Sequence, residues 1–299
     1  MAPKVVVGTL TWNQKAHVME CLASLVRLEY PNYEIVVVDN GSTDGTEEAV
    51  RAAFPQAHLV RNAKNLGAAE GINGYVRFAL EANADYLLII ANDGCVEPST
   101  LTELVKVAEA DPSLGIVAPK VYYHGTNKIW FAGGACFDWL RGQFHGFHQN
   151  VEDDGSTDRE GEAEYFPGGF SLFRTAAIRK AGLLDPRYFV YWEDPDWTIR
   201  FYRAGYKGWY TPRSRAWHKA SSSLGMESPD FYYYRTRNRL LFVSQWAPFG
   251  IFPVFFLYFL FEFIFQTTPY LLRSKMTGQW RASLAGIFDF LRGRFGARP

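Results

Sequence analysis

Cysteine is scarce in this 299-residue chain: Cys21, Cys95 and Cys136 form no Cys-x-x-Cys pair and show no metal-ligand spacing. An odd, scattered set argues against a disulfide framework and for a reducing compartment. Net charge is also missing, because Lys plus Arg and Asp plus Glu both number 31. That balance gives no overall basic field for nucleic acid, and none is expected as a partner. The opening "MAPKVVVGTL" runs straight into a strand-like segment without a signal-peptide pattern, so export is not expected. No internal repeat stands out. What the chain does have is 48% hydrophobic and 17% aromatic composition, enough to build one large or two small cores.

The first 120 residues alternate short β-branched runs with helix-length segments. "KVVVGTLTW" precedes a stretch in which Val18, Leu22 and Leu25 fall on one helical face, with Met19 and Val26 beside them. "YEIVVVDN" reads as a strand apolar on both faces, and "DGTEEAVRAAF" as a helix whose Asp44 and Glu47 have capping-box spacing. "HLVRN", "GAAEGINGYVRFALEA", "DYLLIIAND", "STLTELVKVAEA" and "LGIVAPKVYY" continue the pattern. Such alternation predicts crossover units and a mainly parallel α/β sheet. The middle, 121–190, is less regular, and its acidic stretch 150–164 reads as a mobile loop.

In open α/β sheets, ligands bind outside the carboxyl ends of the strands. Two apolar runs end there in polar residues: "IVVV" on Asp39-Asn40-Gly41, and "YLLII" on Ala91-Asn92-Asp93-Gly94. Asp39 could hold a ribose in a dinucleotide fold, but that requires Gly-x-Gly-x-x-Gly after the first strand. "GTLTWNQ" offers only Gly8, which disfavours a nucleotide-dependent oxidoreductase. The other reading is recognition of a single nucleotide, where a carboxylate accepts the imide N–H of uracil or thymine. "NAKNLGAAEGINGY" places Gly67, Gly71 and Gly74 in early helical turns, at a cost of about 1 kcal/mol each. Close approach to a ligand and close helix–sheet packing explain them equally well. Asp93 is a candidate ligand for a divalent ion, whereas His218 alone carries little weight.

"YWEDPDW" (191–197) sets Glu193, Asp194 and Asp196 among aromatic rings. The local reading makes Asp194 an N-cap and Pro195 the first helical residue, with Gly205 stopping the helix. A carboxylate so positioned can also do chemistry.

Taken in order, "TLTWNQ", "VVVDNGSTDGT", "KNLGAAEGINGY", "LLIIANDG", "FPGGFSLFRTAAIRKAGLLDPRYFVYWEDPDWTIRFYRAG", "AWHKASSS" and "YYYRTRNRLLF" resemble family 2 glycosyltransferases. These are inverting enzymes of the GT-A fold, and the chain is most similar to a bacterial rhamnosyltransferase-like branch over about residues 4–245. The resemblance implies a Rossmann-like, mainly parallel central sheet flanked by helices, as the catalytic domain 1–245. It implies a UDP- or dTDP-sugar donor and a hydroxyl acceptor on a lipid-linked or cell-surface glycan. Asp39 then reads the nucleobase, with Thr9, Asn13, Asn65, Gly67 and Asn92 around the nucleotide. Asp93 and His218 hold Mg²⁺ or Mn²⁺ with the diphosphate. Gly168, Gly169 and Trp192 border the sugars, and Asp194 is the base, with Glu193 as its fallback. Ala91 departs from the family's metal motif, which has Asp or Asn at that position. That departure motivates an alternative: a nonenzymatic member that binds a sugar nucleotide or tethers an assembly complex.

The last segment, 246–299, differs in character. "WAPFGIFPVFFLYFLFEFIF" (246–265) has one charge, Glu262, and is long enough to span a bilayer. Glu262 would cost roughly 2–3 kcal/mol near the bilayer centre. Arg235, Arg237 and Arg239 precede the run, and Arg273, Lys275, Arg281, Arg292, Arg294 and Arg298 follow it. Basic flanks on both sides fit a helix lying in the interface of an anionic leaflet better than a span. "SLAGIFDFLRGRF" adds an amphipathic pattern. With the resemblance, this predicts attachment to the cytoplasmic face of a bacterial inner membrane.

Overall fold

The computed structural model describes residues 1–133, 135–146, 149–220 and 227–298. Ser221 to Ser223 of the "AWHKASSS" segment lie outside the described residues. The first half alternates as its periodicity predicts: β1 (Val5–Thr11), α1 (Lys15–Leu25), β2 (Tyr33–Asp39), α2 (Thr46–Ala53), β3 (His58–Arg61), α3 (Gly67–Glu81), β4 (Tyr86–Ile89), β5 (Gly94–Val96), α4 (Thr100–Ala110) and β6 (Leu114–Tyr123). Then follow β7 (Ile129–Phe131), the hairpin β8 (Ala135–Asp138) and β9 (Gln143–Gly146), β10 (Gly161–Glu162), β11 (Leu172–Arg174), α5 (Thr175–Ala181), α6 (Glu193–Arg203) and β12 (Lys207–His218). Four helices close the chain: α7 (Pro229–Trp246), α8 (Ile251–Glu262), α9 (Thr268–Arg273) and α10 (Thr277–Leu291).

The main sheet has the order β10-β12-β6-β11-β4-β1-β2-β3, with β5 on β12 and β7 on β6. Strands β4, β1, β2 and β3 are mutually parallel, while β11 runs antiparallel between β4 and β6. Val5 to Val7, Val36 to Val38 and Leu87 to Ile90 are buried throughout, which is why these runs do not alternate. Register sets Thr11 beside Asp39 and Gly8 beside Ile89. The carboxyl ends of β1, β2 and β4 therefore finish along one edge.

Packing decides the glycines of α3. A Cβ on Gly71 would lie 2.6 Å from a Leu10 methyl, and one on Gly74 would lie 3.1 Å from Val38. Gly67, at φ +84°, would meet the Phe189 carbonyl oxygen at 2.5 Å. Gly8 is likewise small for Tyr75, whose ring would be 2.6 Å from an added Cβ, and not for a pyrophosphate.

Two local expectations are corrected. Asp44 and Glu47 make no capping box: Gly45 precedes the helix, Asp44 accepts from Thr46 N–H at 3.2 Å, and Glu47 turns to Arg51 and Arg61. The acidic stretch 150–164 is tied down rather than free. Asp153 and Asp158 accept from the fully buried Lys120 ammonium at 2.9 and 2.5 Å, and β10 pairs with β12.

The C-terminal helices share a core with the segment before α6. Tyr188 packs in one cluster with Leu240, Phe242, Phe255, Phe259 and Ile287. From Ile251 to Arg273 the chain forms a helical run through a π-helical turn at Phe263–Thr267, long and apolar enough to cross a membrane by length and composition. Most of it is unburied, unlike a core helix, and it exposes Val254, Leu257, Phe261, Ile264 and Phe265. Glu262 is paired with Arg239 at 2.7 Å, so its charge is compensated within the protein.

The tightest tie between these helices and the sheet domain is made by Arg237 and Asn238, both fully buried on α7. Asn238 Nδ2 donates to the carbonyls of Tyr188, Val190 and Tyr191 at 2.7, 2.8 and 2.8 Å. Arg237 donates to those of Arg187 and Tyr188 at 3.0 and 3.1 Å and to Gly296 at 2.8 Å, between the rings of Tyr233 and Tyr234. Replacing Asn238 with Asp keeps the shape but sets a carboxylate against three carbonyl oxygens. Asn238→Asp should lose about 3–5 kcal/mol in urea unfolding. A loss below about 0.5 kcal/mol, the range of ordinary surface changes, would show that these bonds do not hold the segment.

Candidate functional site

The strand edge carries the first group of residues. Asp39 is fully buried; its Oδ1 accepts from Ser42 N–H at 2.9 Å, while Oδ2 has no hydrogen-bond partner. The nearest guanidinium, Arg61, is 3.9 Å from that oxygen. A buried carboxylate oxygen with nothing donating to it is costly, so Asp39 is poised for a donor. Thr9 Oγ1, also buried, is likewise unpartnered. Asn13, at φ +50°, receives Thr43 N–H at 2.8 Å and donates its own N–H to Ser42 Oγ at 2.9 Å. The loops after β1 and β2 are thereby laced together. Asn65 Oδ1 accepts from Asn40 Nδ2 and from Gly67 N–H, which orients the start of α3. Asn92 donates to Gln14 Oε1 at 2.8 Å.

The second group joins β12 to the turn after β4. Pairing of β5 with β12 sets His218 opposite Gly94, and His218 Nε2 lies 3.1 Å from Asp93 Oδ1. The imidazole sits against Trp130 and Phe170, with Nδ1 buried and unpartnered. A carboxylate oxygen and a ring nitrogen this close together are of the types that hold a divalent ion whose remaining ligands come from phosphate and water. The residues present therefore fit Mg²⁺ or Mn²⁺ as part of a coordination shell. Ala91 has a packing reason: a Cβ on Gly169 would already lie 3.2 Å from that of Ala91, whose N–H donates to the Gly169 carbonyl at 2.7 Å.

The third group is the acidic cluster. The helix begins two residues earlier than the sequence suggests. Trp192, at φ +76°, is the capping residue, and Glu193, Asp194 and Asp196 all lie in the first turn of α6. Asp194 is therefore not the N-cap. The backbone reaches this point through left-handed Phe189 and Tyr191 as well, in the stretch gripped by Arg237 and Asn238. The three carboxylates part company there. Asp196 is structural: it accepts from Trp246 Nε1 at 2.8 Å and from Arg200 Nε at 3.0 Å. Asp194 Oδ2 accepts from the Tyr165 hydroxyl at 2.6 Å and from Gly168 N–H at 3.3 Å. A Cβ on Gly168 would lie 2.8 Å from that of Asp194, so only glycine leaves the carboxylate in place. Glu193 Oε2 is buried without a partner.

These contacts separate the two acids electrostatically. Burial pushes the Asp194 carboxyl up, and the Tyr165 and Gly168 donors pull it back. Burial first, and then the Asp194 charge, pushes Glu193 up to about 8. The shifts therefore place the first negative charge of the pair on Asp194 and leave the proton on Glu193. Tyr165, buried next to Asp194, stays a neutral donor because its own pKa is raised well above 10.

Two cavities meet at this pair. A smaller one, about 200 Å³, is lined by Ala91, Asn92, Gly168, Gly169 and Tyr75. A larger one, about 660 Å³, is lined by Tyr165, Trp192, Arg235, Arg239 and Glu262 among others. Glu193 and Asp194 line both. Sequence reasoning missed Tyr165 and Arg235. The first was within reach, two residues before Pro167-Gly168-Gly169; the second lies on a helix whose approach to α6 no local pattern shows.

Comparison with known proteins adds an independent line. The profile of Glycosyl transferase family 2 matches residues 6–181, more than half of the chain. An N-acetylglucosaminyl-diphospho-decaprenol L-rhamnosyltransferase of Mycobacterium tuberculosis is 24% identical over 257 residues, covering 80% of this chain and 83% of that one. Among solved structures, the mannosyltransferase PcManGT from Pyrobaculum calidifontis, in complex with GDP-Man and Mn²⁺, superposes with TM-score 0.59 at 17% identity. It covers 98% of this chain and 88% of its own. GalNAc-T7 with UDP, GalNAc and Mn²⁺ gives TM-score 0.64 at 17% identity over 82% of this chain, which spans 48% of that protein. Identities this low establish a common fold.

The protonated Glu193 makes a prediction for stability. Below its ordinary value of 4.5 the carboxyl is protonated in both folded and unfolded chains; from there to about 8 only the folded chain keeps the proton. The unfolded state then binds fewer protons, so stability falls as pH rises through this window. Glu193→Gln removes the titration. The variant should stand close to the wild type at pH 5 and exceed it by on the order of 4 kcal/mol at pH 8. Parallel stability curves for the two proteins would show that Glu193 ionises normally.

Proposed function

The chain belongs to glycosyl transferase family 2 and is a glycosyltransferase; from that premise we propose that it moves a sugar from a UDP- or dTDP-sugar to a hydroxyl of a lipid-linked or cell-surface glycan. We further assign Asp194 as the base and residues 1–245 as the catalytic domain. The observation that carries this reading is the position of Asp194: held by two donors and lining both cavities. In the proposed arrangement the donor lies along the strand edge between Asp39 and the Asp93–His218 pair, and the acceptor in the larger cavity.

Each residue then has a physical task. Asp39 Oδ2 accepts the imide N–H of uracil or thymine, with Thr9, Asn13, Asn65, Gly67 and Asn92 shaping the nucleotide site around it. Cytosine lacks that N–H, and guanine presents a different shape. Asp93 and His218 would hold Mg²⁺ or Mn²⁺, which when bound stabilises the charge developing on the departing diphosphate. Gly168 and Gly169 border the sugar, and Trp192 forms an aromatic wall. Asp194 takes the proton of the attacking hydroxyl on the face opposite the leaving group, which inverts the anomeric carbon. Glu193, protonated at neutral pH, cannot share that task. A membrane-facing role for residues 246–299 is supported by the exposed apolar face of α8 and by basic residues on both sides of it. The lipid-linked substrate named for the mycobacterial relative points the same way.

Two substitutions test the reading. Asp194→Asn keeps a hydrogen-bond acceptor for Tyr165 but cannot take a proton. Transfer should fall by about 10²–10⁴-fold, with UDP binding and melting temperature near wild type. Transfer at the wild-type rate would remove Asp194 from the chemistry. For the donor, calorimetry should show UDP or dTDP bound at least about tenfold more tightly than CDP, and Asp39→Ala should erase the difference. Equal affinity of the wild type for all three would contradict the assignment of Asp39.

A further inference from the structure

The larger cavity holds one guanidinium that no carboxylate of its walls pairs with. Two guanidinium groups line it. Arg239 is fully engaged, with Nη2 on Glu262 at 2.7 Å and Nε on the Gly142 carbonyl at 3.1 Å. Arg235 is not. Among the described residues it has no ion pair and no hydrogen bond, and it is solvent-exposed, resting on the Phe231 ring at 5.4 Å from the centroid. The ring fixes the guanidinium against the wall while leaving its N–H groups available. With Glu262 neutralised by Arg239 and Glu193 protonated, the cavity presents one carboxylate, at the Asp194 end, and one free guanidinium.

We propose that Arg235 is the phosphate-binding group of the acceptor cavity, so that the acceptor is a glycan carried on a lipid phosphate or diphosphate. This deepens the glycosyltransferase reading and rests on it. A planar fork of N–H donors matches phosphate oxygens bidentately. The surroundings favour an anion there, because the Arg239 guanidinium stands on the same wall and adds a second positive charge. The wall beyond is apolar. Phe259 and Phe263 line the same cavity, and they belong to the helical run that exposes Leu257, Phe261, Ile264 and Phe265. The helix that walls the cavity thus also carries an exposed apolar surface on which a hydrocarbon chain can rest. The donor diphosphate is assigned to Asp93 and His218, and neither of them lines the cavity of Arg235.

Binding of simple probes to the purified full-length protein tests this. Farnesyl diphosphate, farnesol and UDP are titrated by calorimetry with Mn²⁺ present, the two prenyl probes under saturating UDP so that the donor site is filled. The wild type should bind farnesyl diphosphate at least tenfold more tightly than farnesol. Arg235→Gln should lose about tenfold for the diphosphate alone, and Arg235→Lys should recover part of it. Equal binding of both prenyl probes by the wild type, or unchanged diphosphate binding by Arg235→Gln, overturns the proposal. So does loss of UDP binding in Arg235→Gln, since the residue would then serve the fold. A variant that fails only to sediment with anionic phosphatidylglycerol vesicles would assign Arg235 to the bilayer surface instead, which also overturns it. If wild-type UDP binding is absent, the donor reading fails, a result distinct from any of these.

Discussion

One side-chain amide, Asn238, donates to three carbonyls of a single loop, and the place of the acidic pair follows from those bonds. Phe189, Tyr191 and Trp192 all have positive φ, a conformation costing a non-glycine residue about 1–2 kcal/mol each. Nothing local sustains three such residues in four. The loop persists because Asn238 and its neighbour Arg237 satisfy its carbonyls from a buried helix, while Tyr188 packs into the C-terminal core. The reversal at Trp192 then starts α6 so that Asp194 meets Tyr165 and Gly168. The C-terminal helices are thus part of the mechanism that aims the carboxylate, besides bearing the apolar surface.

That aiming also separates two chemically similar acids. Asp194 has the Tyr165 hydroxyl and the Gly168 N–H as donors while Glu193 Oε2 has none, so charge settles first on Asp194 and raises the cost of a second beside it. Asp196, only two residues further on, is drawn into the opposite task by Arg200 and Trp246 and ties α6 to the end of α7. Three carboxylates within four residues thereby fill three roles, set by which element each one faces.

Much of the fold was legible because the parallel strands are buried on both faces and the helices carry a clear apolar stripe. Asp39 and Asp93 were legible as strand-end carboxylates for the same reason. The start of α6 was not. Asp194-Pro195 has the local chemistry of a helix start, and the grip of Asn238, far along the chain, overrides it. Asp44 and Glu47 look like a capping box, but Arg61 on the neighbouring strand draws Glu47 away. The acidic stretch looked unattached because Lys120, inside the strand β6, gives no sign in sequence that it will be buried and will need two carboxylates. Glu262 looked like a burden on a membrane helix until Arg239 was found beside it. Each miss is a tertiary partner overriding a local preference.

The central claim is that catalysis runs on an ionised Asp194 beside a protonated Glu193, and the pH dependence of sugar transfer tests it most directly. With a UDP- or dTDP-sugar and a phosphate-linked acceptor, kcat/KM should show one acidic limb, set by a carboxyl titrating above the ordinary Asp range, and this limb should remain in Glu193→Gln. Disappearance of the limb in Glu193→Gln, with activity otherwise retained, would contradict the account and make Glu193 the group that must ionise.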